Sequence, residues 1–326
     1  MIIGGEALRP WWPMALVTDA CGPPVLVAGT TDNGPIAAWD VSTGKLLSQH
    51  PELTTAGLNG LTAGRLSDGR LVAAACGDGW IERWDIATGQ PLAHADDFGS
   101  DQYWSLAMHG RLLAAAGQCG RGAISRWDIL TGEPSAQLGP GAGHDGIVHN
   151  LVMATSRAGS PILISSDESG RIVRSDAVTG VPIGESLFVE SDGGRIPLAT
   201  VPYRNGHLLI AASHTSGVTR WDLWSGEPIG QPLPGPSDMV DVAAYLPGGR
   251  PVILLSCQAD LVYRWDALTG TPLGAPEPGT TLAASENIVV IGSDTRDCRV
   301  ETTAPPPPAT SGSPATTQHI GQNPPQ

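Results

Sequence analysis

The chain has 326 residues, 41% of them hydrophobic and 15% charged, with 42 Gly and 29 Pro, a mixture that suits short strands and tight turns and argues against an architecture of long helices. Eighteen basic against 32 acidic residues give a net charge of −14. That leaves too few cations for nucleic acid or an anionic membrane to be a general partner, whereas a negative field speeds encounter with basic or neutral protein surfaces.

Taken in chain order, the opening "MIIGGEALRPWWP" shows no basic stretch followed by a long apolar one, and no run of about 18 apolar residues occurs further on. The five cysteines, Cys21, Cys76, Cys119, Cys257 and Cys298, form no CxxC pair and no zinc-type spacing. These features predict a soluble chain in a reducing, cytoplasmic setting. Within the opening, "IIGGEAL" from Ile2 resembles "PIGESL" from Pro182 and "PIGQPL" from Pro228, segments that follow a repeated motif further along.

That motif begins as "AWDVSTG" from Ala38 and returns as "RWDIATG" from Arg83, "RWDILTG" from Arg126, "RSDAVTG" from Arg174, "RWDLWSG" from Arg220 and "RWDALTG" from Arg264. The Trp, or the Ser replacing it, falls at 39, 84, 127, 175, 221 and 265, a period of 43 to 48 residues. Self-similarity at this period decides the fold before any local reading, and it matches one four-stranded propeller blade. Each unit reads as two short apolar runs about a tight turn (Asp68-Gly69, His109-Gly110, Asn205-Gly206, Gly248-Gly249), a third run ending at the Trp, and a fourth after the Thr-Gly. Runs such as "LVAAAC" and "LLIAAS" are apolar and rich in small residues, as strands packed on both faces should be.

On these residues the sequence resembles the WD40-repeat family, over roughly residues 1 to 303. The resemblance implies an all-β, seven-bladed WD40-type β-propeller of four-stranded antiparallel blades. It also implies a structural network in which each Trp (Trp39, Trp84, Trp127, Trp221, Trp265) joins a Ser or Thr, a turn Asp and a His. Asp32, Asp78 and Asp167 match the turn Asp, and His144 with Ser165 and Asp167 comes nearest to the whole set, although Ser175 replaces its Trp. A seventh unit, "LAASENIVVIGSDTRDCRVE" from Leu282, has no Thr-Gly, and residues 2 to 8 are expected to supply its missing strand and close the ring. Residues 304–326, "APPPPATSGSPATTQHIGQNPPQ", contain no charged side chain and few apolar ones, which predicts a disordered proline-rich tail.

Chemistry is sparse by comparison. "GAGHDG" from Gly141 matches GxGxxG in letters, but a strand follows where a phosphate-binding helix would be needed. No HExxH, GxSxG, Walker or EF-hand spacing occurs, and neither a catalytic residue, a metal nor a cofactor is expected. The alternative is a propeller enzyme or small-ligand binder that uses the central channel. Quinone-dependent dehydrogenases are the nearest such repeat, but their docking Trp lies beyond the Thr-Gly, where this chain has Leu, Ala or Gly.

The function expected from the resemblance is a non-catalytic scaffold that binds a basic or neutral protein or peptide, the chain itself being a monomer. The expected contact set lies at the starts of first strands and in nearby turns: Trp12, Asn59, Tyr103, Trp104, His149, Arg195, His214 and Asp260. Ile196 and Val240 occupy the equivalent starts in two other units.

Overall fold

A computed structural model describes residues 2–3, 13–18, 22–29, 35–54, 57–92, 102–118, 122–135, 143–156, 158–203, 206–213, 217–236, 238–285, 287–292 and 298–302. Strand β1 is Ile2–Ile3. The first sheet contains β2 (Ala15–Val17), β3 (Val25–Gly29), β4 (Pro35–Asp40) and β5 (Leu46–Thr54). The second has β6 (Leu58–Arg65), β7 (Leu71–Gly77) and β8 (Trp80–Asp85), and the third β9 (Tyr103–His109), β10 (Leu112–Gly117) and β11 (Ile124–Asp128). The fourth is β12 (Val148–Thr155), β13 (Pro161–Asp167), β14 (Arg171–Asp176) and β15 (Leu187–Phe188). The fifth comprises β16 (Leu198–Tyr203), β17 (Gly206–Ser213) and β18 (Gly217–Asp222), and the sixth β19 (Met239–Tyr245), β20 (Val252–Cys257), β21 (Leu261–Asp266) and β22 (Glu277–Pro278). In the seventh, β23 (Thr281–Ser285), β24 (Ile288–Gly292) and β25 (Cys298–Thr302) are joined by β1, whose Ile2 and Ile3 pair with Arg299 and Cys298.

The protein is therefore all-β, with seven antiparallel sheets of three or four strands in an arrangement compatible with propeller blades. Four-stranded units were expected throughout, but among the described residues the second, third and fifth sheets have three strands. Their fourth segment is reduced to isolated bridges, Trp84 with Pro91, Trp127 with Pro134, Trp221 with Pro228 and Val218 with Leu233. Bridges of the same kind, Ser175 with Pro182 and Trp265 with Pro272, precede the fourth strands of the fourth and sixth sheets. The predicted tail, residues 304–326, lies outside the described residues.

The repeated letters all have local work. In every copy the Asp caps the turn that follows: Asp222 Oδ1 accepts the Trp224 and Ser225 N–H groups, both at 2.9 Å, and Asp266 does the same for Leu268 and Thr269. The Gly then takes φ between 71° and 76° in all six turns, a left-handed conformation that disfavours residues with a Cβ.

The Trp packs backward, onto the sheet before its own. Trp84 sits with Val25, Val27 and Ile36, Trp127 with Val72 and Ala74, and Trp265 with Val201 and Ile210. All five are buried, between 2% and 8% exposed. Burying so large a ring removes a great deal of apolar surface from water.

The residue before the Trp packs forward. Arg83, Arg126, Arg174 and Arg220 are buried and donate to backbone carbonyls just after the next sheet's capping Asp: Ile129, Ala177, Leu223 at 2.8 Å and Ala267 at 2.9 Å. Ala38 replaces the Arg in the first sheet, and there Ser48 Oγ donates to the corresponding Ile86 carbonyl. Burial pushes each guanidinium's pKa down. Nearby carboxylates oppose this: Glu82 and Asp128 for Arg83, then Asp176, Asp222 and Asp266 for the other three.

Candidate functional site

First strands of successive sheets lie side by side from β2 to β23, and β2 also packs beside β23. A cavity of about 330 Å³ is lined by three consecutive residues from each of them, such as Leu61–Ala63, Leu106–Met108 and Val242–Ala244. Because equivalent residues meet there, these strands run in one direction and in register. Their starts consequently share one end of the molecule, along with the turns joining second to third strands.

At that end the ladder between first and second strands is irregular in four sheets. The register shifts between Leu58 and Gly60, at Tyr103 to Ser105, between Val148 and Asn150, and between Met239 and Asp241. The residues skipped are Asn59, Trp104, His149 and Val240. A bulge leaves its extra residue out of the ladder and turns it toward a new direction.

Trp104 and His149 meet edge to face, ring centroids 4.7 Å apart, both half-buried. Burial pushes the His149 imidazole's pKa down, with Glu168 opposing and Arg195 adding to the effect; its Nε2 is buried without a partner. Asn59 Nδ2 donates to Asp78 Oδ1 and to the Tyr103 carbonyl, each at 3.0 Å, and so braces the second sheet against the third. Asp260 adopts φ 57° and its carbonyl accepts Gly279 N–H at 3.0 Å, which ties the sixth sheet's turn to the end of its own fourth strand. Arg195 is exposed.

Two expectations fail here. Tyr103 is 1% exposed, set edge to face against Trp127 in the core, and offers no contact surface. The bulge at Trp104 puts these neighbours in different environments, so only the second reaches solvent. Ile196 is likewise buried, its carbonyl accepting the Ser166 hydroxyl at 2.8 Å. Trp12, His214 and Asp32 lie outside the described residues.

The expected His network is present in the fourth sheet. His144 Nδ1 lies 2.8 Å from Asp167 Oδ2 and its Nε2 2.7 Å from Ser165 Oγ. Burial alone would raise the Asp167 carboxyl's pKa, but hydrogen bonds from His144 and Ser169 hold it below the usual range. A Ser-His-Asp chain resembles a nucleophilic triad, yet the His144 and Asp167 side chains have 0% exposure, so no substrate reaches them. Asp78 has a different role, as the partner of Asn59. No cluster of three His, Cys, Asp or Glu suited to a metal occurs among the described residues, and no helix there is long and apolar enough to cross a membrane.

One residue of this end escaped the sequence reading. Asp241 lies half-buried on β19, where it lines a second cavity of about 290 Å³ with Asn59, Arg195, Val240 and Thr281. Met14 and Leu282 line this cavity and the first one alike, so the smaller space is the mouth of the larger. Burial pushes the Asp241 carboxyl's pKa up, against the pull of Arg195 and of its hydrogen bond from the Val242 N–H. Its signal in the sequence was a lone carboxylate inside the apolar run "MVDVAAY".

No family model and no curated protein matches the chain. Among solved structures, the crystal structure of the computationally designed Ika8 protein is similar, with a TM-score of 0.57 at 20% identity over 92% of this chain and 97% of that one. At this identity the likeness shows a shared fold alone.

Proposed function

We propose that the seven sheets are the blades of a WD40-type β-propeller, closed by the N-terminal strand, and that the chain is a non-catalytic platform for a basic or neutral protein. The ring is supported by the packing of β2 beside β23, by the pairing of β1 with β25, and by the cavity that all seven first strands share. The platform rests on one observation above others: Trp104, a large ring of the kind that anchors interfaces, is left half-buried by its bulge and held by His149 at the end where Asn59, Arg195 and Asp260 gather.

The test is quantitative co-purification from the host extract with the intact protein and with Trp104→Ala, after checking that both melt alike. A stoichiometric protein lost with the variant supports the platform and its face. A partner retained by the variant moves the face elsewhere, and the absence of any stoichiometric partner refutes the platform.

A further inference from the structure

The mouth cavity is lined by an acidic and a basic side chain that do not pair directly. Arg195 and Asp241 both line it, and the guanidinium is near enough to pull the carboxyl's pKa down, yet no ion pair or hydrogen bond joins them. Asp241 has only the Val242 N–H of its own strand as a hydrogen-bond partner. Opposite it on the ladder, Ser256 has a fully buried hydroxyl with no partner. With so little compensation the ionised carboxyl is disfavoured, and a ligand that brings positive charge to it would offset that.

A ligand that relieves this must suit both charges. A lone cation would satisfy Asp241 but meet repulsion from Arg195, and a lone anion would suffer the reverse. A zwitterion satisfies both. The remaining lining is mostly apolar, Pro13, Met14, Leu58, Val240 and Leu282 with the polar Asn59 and Thr281, and about 290 Å³ is at the small end of ligand cavities. We propose that the channel mouth binds a free α-amino acid with an apolar side chain, its ammonium on Asp241 and its carboxylate on Arg195.

This site needs the cavity and not the Trp104 surface, so it stands or falls separately from the platform. The experiment is calorimetric titration of the full chain at pH 7 with L-leucine and L-methionine. Leucinamide, which lacks the carboxylate, and 4-methylpentanoate, which lacks the ammonium, serve as comparison ligands. Saturable one-to-one binding is expected, weakened about tenfold or more in either comparison ligand and in either of Asp241→Asn and Arg195→Gln. Both substitutions remove a charge without removing core volume, so the variants should fold, which their melting curves check. The proposal is overturned by a lack of saturable binding up to about 10 mM, by comparison ligands that bind as well as the amino acids, or by indifference to either substitution.

Discussion

Two seams use the same register position in opposite ways. In the sixth sheet that position, opposite Ile253, is Trp265, which lies against the fifth sheet among Val201, Ile210 and Val218. In the seventh it is Glu301, opposite Val289, and the surface it meets on the sixth sheet is charged. Arg264 reaches both Glu301, at 2.7 and 2.8 Å, and Glu277; Arg299 binds the same two carboxylates, and Tyr245 Oη accepts from Arg264 at 3.1 Å. The position must be filled, but bulk and a closed ion cluster both fill it. Only the second makes the seam answer to pH and salt.

The sharpest way to break the comparison is Trp84→Ala. This ring is 2% exposed, and its loss should lower unfolding free energy by about 3–5 kcal/mol in denaturant titration, with no dependence on salt. His144→Ala should cost less, about 1–3 kcal/mol by the same measurement, since it leaves Ser165 and Asp167 buried without their shared partner.

Glu301→Gln should cost about 1 kcal/mol at pH 7, because the cluster is partly exposed. Its diagnostic is a pH series. The Arg264 hydrogen bond holds the Glu301 pKa below the ordinary 4.5, with burial opposing. The stability it contributes is therefore complete above that value and lost as pH falls below it, so the variant should lose less stability than the parent on acidification. Asp167 is depressed in the same sense and titrates in both proteins, which leaves the difference between them to the seam. Smallest is Arg111→Ala, whose exposed pair with Asp128 should leave the melting temperature unchanged.

The repeat was legible because each of its letters does the same work in every unit. A capping Asp, a left-handed Gly and a seam-filling Trp each impose a residue type at a fixed offset, so periodicity alone exposed them. Contacts between units were harder to read. An Arg stood at this position in five of the six copies, but in four of them its acceptor is a backbone carbonyl in the next unit, which no side-chain pattern announces. Glu301 had no Thr-Gly beside it to mark the register.

At the candidate site, Asn59, Trp104, His149 and Val240 were placed at strand starts from sequence, and these four became the bulge residues. Tyr103 was misjudged because a bulge changes which of two adjacent side chains faces inward. Asp241 was passed over because its meaning depends on Arg195, which comes from the preceding unit and meets it only across the mouth.

The forward reach of the buried arginines has a consequence for how such a chain can change in length. Donor and acceptor recur with the unit, so removing or duplicating an interior unit brings an arginine to the same carbonyl it would have met before. Interior units are in that sense interchangeable parts. The two ends are not: Ala38 with Ser48 begins the series and Glu301 ends it. A unit added between them would therefore leave the partners at those two ends unchanged.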